Sequence, residues 1–259
     1  MTQPDPEPVI ITTVKHLRNL LLMVTLTLSA TAAVSDPLPD DARPLIILSA
    51  TDYLGKHTYD QHPYTDLLRM ALGELGYTLV VMHNPGLRSL AMANTGVVDG
   101  ELVRIKDMSE EYPNLIKVPE PLGGADLAIF VAKHKVPASR HWADLQATSV
   151  VALRGMAIME HLPVRFRELS EIRAQNYVQA MHLVIAGRAD LAILPASFIE
   201  KPEQAALAEK LEALTPVVGR VEGFVHLHKR HAALVGPLAE AMHQLKQQTT
   251  APGPAPVSK

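Results

Sequence analysis

The sequence predicts an α/β protein of two similar lobes, and three observations carry that reading. A Gly-x-x-Asp-apolar pattern occurs twice, as GVVDGELVRI from Gly96 and as GRADLAILPA from Gly187. In each case a helix-like stretch comes first, Leu87 to Asn94 and then Val178 to Ala186. A glycine that closes a helix with a left-handed turn, followed by a strand, is one supersecondary unit written twice. Strand-length apolar runs also alternate with amphipathic stretches, as expected of sheets covered by helices. Finally, a chain of 259 residues has room for two lobes.

Element by element, RPLIILSA (Arg43 to Ala50) is a continuous apolar run suited to a buried parallel strand. The next segment places Leu67, Leu68, Ala71, Leu72 and Leu75 on one helical face with Gly76 as a stop, and Thr78 to Met82 supplies a second strand. Asn84-Pro85-Gly86 is a turn. A helix through Leu87, Leu90 and Ala91 then leads to Gly96 and a strand from Glu101 to Ile105. Two apolar runs broken by Pro119, Pro121 and Gly123-Gly124 suit chain passing between lobes. In the second lobe a strand, Ser149 to Leu153, runs into Arg154-Gly155 and a helix start. The helix Val178 to Ala186 feeds the strand Leu191 to Leu194. A strand in GFVHLHKR and an amphipathic helix from about Ala232 to Gln247 complete the chain and suit either lobe.

Hydrophobic residues make up 47% of the chain and charged residues 20%, a composition that supports a core and excludes general disorder. A net charge of -3 gives no reason to expect nucleic acid as a partner. Lys15 and Arg18 precede the apolar run Leu20 to Leu28, and Ala30-Thr31-Ala32 follows, the pattern of a cleavable secretory signal. Residues 1–32 are therefore expected to be removed, leaving a periplasmic chain that begins near Ala33; a membrane anchor is the alternative, but the apolar run is short of the roughly 20 residues a span needs. Residues Met1 to Thr13, with Pro4, Pro6 and Pro8, are an unusual preface to such a signal. The chain has no cysteine, which excludes disulfides and thiolate chemistry. Residues 250–259 have the composition of a disordered tail.

In order and spacing, LGYTLVV, GVVDGELVR, HWADLQATSVVALRG, AGRADLAIL and FVHLHKRHAAL together resemble the type II periplasmic solute-binding proteins of the amino-acid-binding kind (bacterial extracellular solute-binding family 3). The resemblance covers nearly the whole mature chain. It implies two lobes joined by crossover strands, 43–118 with 216–249 forming the first and 119–215 the second. It further implies a monomer without a cofactor that closes on a small ligand and serves a membrane permease of an ABC transporter or a sensor protein.

Strand carboxyl ends and helix amino termini collect between such lobes and favour an anion there. The Arg154-Gly155-Met156 turn is placed for this, and in the family the corresponding turn holds the ligand carboxylate, with a small hydroxyl residue where this chain has Met156. Arg104 ends the strand after Asp99, where a guanidinium could clamp a carboxylate through two parallel hydrogen bonds. The family's Thr-x-x-Arg turn is absent, because KDMSEEYP follows, so Arg104 is expected to take its place; the alternative is a solvent-facing arginine at a strand end.

The family's acidic partner for a ligand ammonium falls near Pro195, which leaves Glu101 or Glu200 as substitutes and the ligand class open. Tyr53, Tyr59 and Tyr64 follow the first strand, where the family sets an aromatic against its ligand, and Tyr53 is nearest the strand end. Trp142 is expected to pack the second lobe. His226, His228 and His231 could offer imidazoles to zinc, although no further ligand lies at a recurrent zinc spacing. Met156 and Met159 are expected as core filler. An enzyme acting on a small carboxylic acid, with Glu101 as base beside Arg104, is the remaining alternative.

Overall fold

The structure, a computed structural model, describes residues 43–51, 53, 58–154 and 162–250. The expected signal at residues 1–32, the helix start at Gly155 and Met156, Met159, and residues 251–259 lie outside the described residues. The strands are β1 (Leu45–Thr51), β2 (Thr78–Asn84), β3 (Gly100–Arg104), β4 (Leu115–Lys117), β5 (Gly123–Ala132), β6 (Ser149–Leu153), β7 (Ser170–Ala174), β8 (Leu191–Pro195) and β9 (Leu211–His228). The helices are α1 (Pro63–Glu74), α2 (Gly86–Asn94), α3 (Val164–Arg167), α4 (Tyr177–Ile185), α5 (Ala205–Ala208) and α6 (Ala232–Thr250).

Both lobes use one plan. In the first, β1 pairs in parallel with β2 and β3, and β3 pairs antiparallel with β9. In the second, β6 pairs in parallel with β7 and β8, and β8 pairs antiparallel with β5. The two plans meet because β5 and β9 are themselves an antiparallel pair. The sheet order is therefore β2-β1-β3-β9-β5-β8-β6-β7, with β4 on β9. Where the crossover strands pass between the lobes, residues 215–222 of β9 lose the burial they have at either end. That middle stretch carries Pro216 and Gly219 in place of an apolar run, which is why hydropathy reveals only the last part of an 18-residue strand.

The repeated Gly-x-x-Asp has a physical reason. Gly96 and Gly187 both sit at positive φ, 75° and 65°, the left-handed turn that ends α2 and α4. Each aspartate then reaches back to the first strand of its lobe. Asp99 Oδ2 accepts from the Ile47 N–H at 2.8 Å. Asp190 Oδ2 accepts from the Thr148 and Ser149 N–H groups at 2.9 and 3.1 Å. The motif thus locks helix end, third strand and first strand together in each lobe.

Helices cover both faces. In the first lobe, α1 is capped by His62 with Pro63 at its first turn and buries Thr65, Leu68, Ala71 and Leu72. It packs with Leu234, Leu238, Met242 and Leu245 of α6 over Ile46, Leu48 and Leu102 of the sheet. The terminal helix therefore belongs to the first lobe. In the second lobe, Asn176 caps α4 by accepting from Gln179 N–H, and Ala180, Met181 and Val184 bury against Phe130, Val151 and Ala192. Trp142 packs on the opposite face, 5.5 Å from the Phe166 ring. The edge strand β7, SEIRA, escapes sequence detection because its exposed edge carries Glu171 and Arg173, charges that guard an edge against pairing.

Candidate ligand-binding site

A cavity of about 150 Å³ lies between the lobes and takes its walls from both. The first lobe contributes Tyr53, Tyr59, His62, Tyr64, Val103, Arg104 and Ile105. The second contributes Tyr177, Pro195, Ser197, Phe198 and Lys201. The crossover strands form the floor through Gly123, Gly124, Ala125, Leu127, Val221 and Gly223. Gly123 and Gly223 face each other in the β5–β9 register. A Cβ on Gly123 would lie 2.1 Å from the Tyr64 ring, and one on Gly223 2.4 Å from a Val103 methyl. Only a bare backbone lets these walls approach the floor, and Tyr64 fastens the approach by donating its hydroxyl to the Gly124 carbonyl at 2.6 Å.

The lobes also touch directly. The Tyr177 N–H, in the first turn of α4, donates to the Tyr53 carbonyl at 2.9 Å. The two rings stack with centroids 6.3 Å apart, and Phe198 meets the Tyr177 ring edge-on at 5.0 Å. Burial raises the pKa of both tyrosine hydroxyls, so the aromatic wall is uncharged.

Arg104 is not a solvent-facing strand end: it is 6% exposed. Its Nη2 donates to Glu101 Oε1 at 2.5 Å, to Thr51 Oγ1 at 2.8 Å and to the Gly86 carbonyl at 3.1 Å. Its Nη1 donates to the Tyr53 hydroxyl at 3.1 Å. Glu101 is fully buried and also accepts from the Ser89 hydroxyl at 2.5 Å, with Ser49 and Asn84 continuing the polar chain. Burial pushes the Glu101 carboxyl up, opposed by the guanidinium and the serine hydroxyl. For Arg104, burial pulls downward but the Glu101 charge prevails and raises it, so the pair is held as an ion pair.

Of the residues expected from sequence, Arg104 and Tyr53 line the cavity, as do Tyr59, Tyr64 and Pro195. Glu101 stands behind Arg104 and is not among the described residues of the wall. Arg154 is exposed and off the wall, although its carbonyl lies near Gly86 of the first lobe. Glu200 is exposed and also off the wall. Gly155 and Met156 lie outside the described residues.

The three histidines have separate engagements. His226 is fully buried and accepts from the Met108 N–H; His228 accepts from the Arg230 N–H; His231 bonds Asp99 at 2.6 Å. Among the described residues no group of three His, Cys, Asp or Glu could hold a metal ion.

Sequence reasoning missed His62, Tyr177, Phe198 and Lys201. The Asn176-Tyr177 helix start was a usable signal for Tyr177. Lys201 had none, since it follows the short turn Ala196–Phe198 and belongs to no recognisable pattern.

No protein-family model matches the chain. It is 25% identical over 187 residues to an uncharacterized protein of Shewanella oneidensis, the match covering 69% of each. Its structure is similar to that of a histidine kinase sensor domain with similarity to periplasmic binding proteins, at 16% identity and a TM-score of 0.64 over 81% of this chain and 93% of that one. An amino acid ABC transporter substrate-binding protein from Streptococcus pneumoniae bound to L-arginine superposes with a TM-score of 0.63 at 14% identity, over 81% and 92%. Holo ArgBP from T. maritima gives 0.61 at 16%, over 80% and 92%. Two α/β lobes of one plan, joined by antiparallel crossover strands around a cleft, are the type II periplasmic-binding-protein fold, and this chain has it.

Proposed function

We propose that this chain is an exported solute-binding protein that closes its lobes on a small, carboxylate-bearing molecule and presents it to a membrane permease or sensor. The observation that carries the reading is the cavity itself. Its walls come from both lobes and from the crossover, so a ligand there bridges the parts that move apart on opening. An anion is favoured because the wall carries Lys201 and, among the described residues, no acidic side chain. Arg104 acts mainly by aiming the Tyr53 hydroxyl, since Glu101 already matches its charge. The Arg154 turn stays in the proposal only as a rim element.

A thermal-shift screen of small metabolites on the purified mature chain tests this. A ligand at 100 times its dissociation constant stabilises the folded state by about 2.7 kcal/mol, which for a chain of this size raises Tm by roughly 5–10 °C. Small-angle scattering should show the same ligand narrowing the molecule. A screen in which no small molecule moves Tm and none changes the scattering would remove the solute-binding reading.

A further inference from the structure

We infer that the ligand carries a single aromatic ring and an anionic group, lacks an ammonium group, and takes its counter-charge from Lys201. The inference rests on the proposed binding function and narrows it by size, wall chemistry and charge.

The cavity of about 150 Å³ has the volume of an engineered apolar cavity that holds benzene, so a single ring matches its scale. The second-lobe and first-lobe aromatics Tyr53, Tyr59, Tyr64, Tyr177 and Phe198 surround that volume. Rings in such a setting gain from stacked and edge-on contacts beyond the area they bury.

Charge decides the rest. Among the described residues no Asp or Glu lines the cavity, and Glu101, buried behind Arg104, is already committed to Arg104 and Ser89. An ammonium brought into this site would be desolvated beside the Lys201 charge, with no carboxylate among the described wall residues to meet it. Lys201 is in the opposite situation. It is partly buried on the wall, and among the described residues no acid lies within ion-pair distance of it. His62, also on the wall, has its pKa lowered by burial and then by the Lys201 charge, against a smaller pull from Asp66. Among its described residues the wall therefore presents a positive charge with no ion-pair partner beside an aromatic box, which is complementary to an aromatic carboxylate and not to an α-amino acid.

The test is calorimetry on the mature chain with benzoate, 4-hydroxybenzoate and phenylacetate against L-phenylalanine, L-arginine and phenol. At least one aromatic acid should bind about tenfold or more tightly than either amino acid or phenol. Lys201→Met should lose about tenfold in affinity for that acid and leave phenol within about twofold, while Lys201→Arg restores most of the loss. Lys201 is partly exposed, so both variants should fold, and a melt checks it. Tighter binding of either amino acid overturns the inference and leaves the solute-binding function standing. So does unchanged aromatic-acid affinity in folded Lys201→Met. Silence of all three aromatic acids also overturns it, and the metabolite screen then decides whether the binding function falls with it.

Discussion

Removing the Arg104 guanidinium would leave Glu101 fully buried with Ser89 as its remaining partner. Arg104→Ala should therefore destabilise the fold by about 3–5 kcal/mol, the cost of orphaning one member of a buried ion pair. Replacing both Arg104 and Glu101 by Met should cost less than either single change, because two apolar side chains need no counter-charge. Urea melts of the three variants measure this, and a loss for Arg104→Ala within about 0.5 kcal/mol would mean that the pair is not buried in solution. A second residue-scale effect belongs to His226, whose imidazole burial lowers to about 4 from 6.5. The unfolded chain then binds a proton that the folded chain refuses, so stability is full above about pH 6.5 and falls as pH drops toward 4. The loss amounts to roughly 3 kcal/mol at most. Stability measured between pH 7 and pH 4 in the parent and in His226→Gln should show a shallower slope in the variant.

At the scale of elements, Asp99 and Asp190 should behave as a matched pair, since each anchors the first strand of its lobe through backbone N–H groups. Asp190→Ala leaves the Thr148 and Ser149 N–H groups and the Lys135 ammonium without their acceptor, at a cost of about 1–3 kcal/mol. The bonds from Lys135, Thr148 and Ser149 outweigh burial and hold the Asp190 carboxyl well below the usual carboxylate range. Its contribution is therefore present above about pH 3.8 and is lost as pH falls below that value, a step absent from the acid melt of Asp190→Asn. The crossover makes a different demand. Gly123→Ala drives a methyl into the Tyr64 ring and should destabilise by about 1–3 kcal/mol. The same change in a Tyr64→Ala background should cost much less, because the two residues compete for one space. Additive costs in that double variant would show that Tyr64 does not rest on the crossover.

For the whole molecule, the lobes are linked by two crossover strands that carry few core side chains where they pass between the lobes, residues 123–126 of β5 and 215–222 of β9, and opening is expected there. Ligand that bridges Tyr53 and Tyr177 should lower hydrogen exchange at the Tyr177 amide more than in the centre of β6. The histidine engagements lead to a further expectation: a chelator should leave Tm and ligand affinity unchanged, and a clear drop together with stoichiometric zinc in the purified chain would reverse that reading. Export is tested by intact mass. A periplasmic chain beginning near Ala33 supports a cleaved signal, and a membrane-bound chain retaining Leu20 to Leu28 would identify an anchor.

What the sequence by itself determined is the architecture, because local chemistry repeats wherever the fold does. The Gly96 and Gly187 turns, the aspartates three residues on, and the apolar runs of β1, β6 and β8 are all properties of short segments, and each lobe needs them once. Pro195 and the tyrosines after β1 were legible for the same reason, standing at fixed distances from recognisable strand ends. Only the tertiary structure decided the charge of the cleft. Arg104 and Glu101 are three residues apart in one strand, yet whether the guanidinium faces a ligand or its own neighbour depends on the register break in β3 against β9 and on Thr51, Tyr53 and Ser89 closing around it. Lys201 and Phe198 share the wall with Tyr177, a meeting of separate segments that no local pattern encodes. Local sequence dictates where chains turn and which faces are apolar; the pairing of charges across a cleft is set by long-range packing.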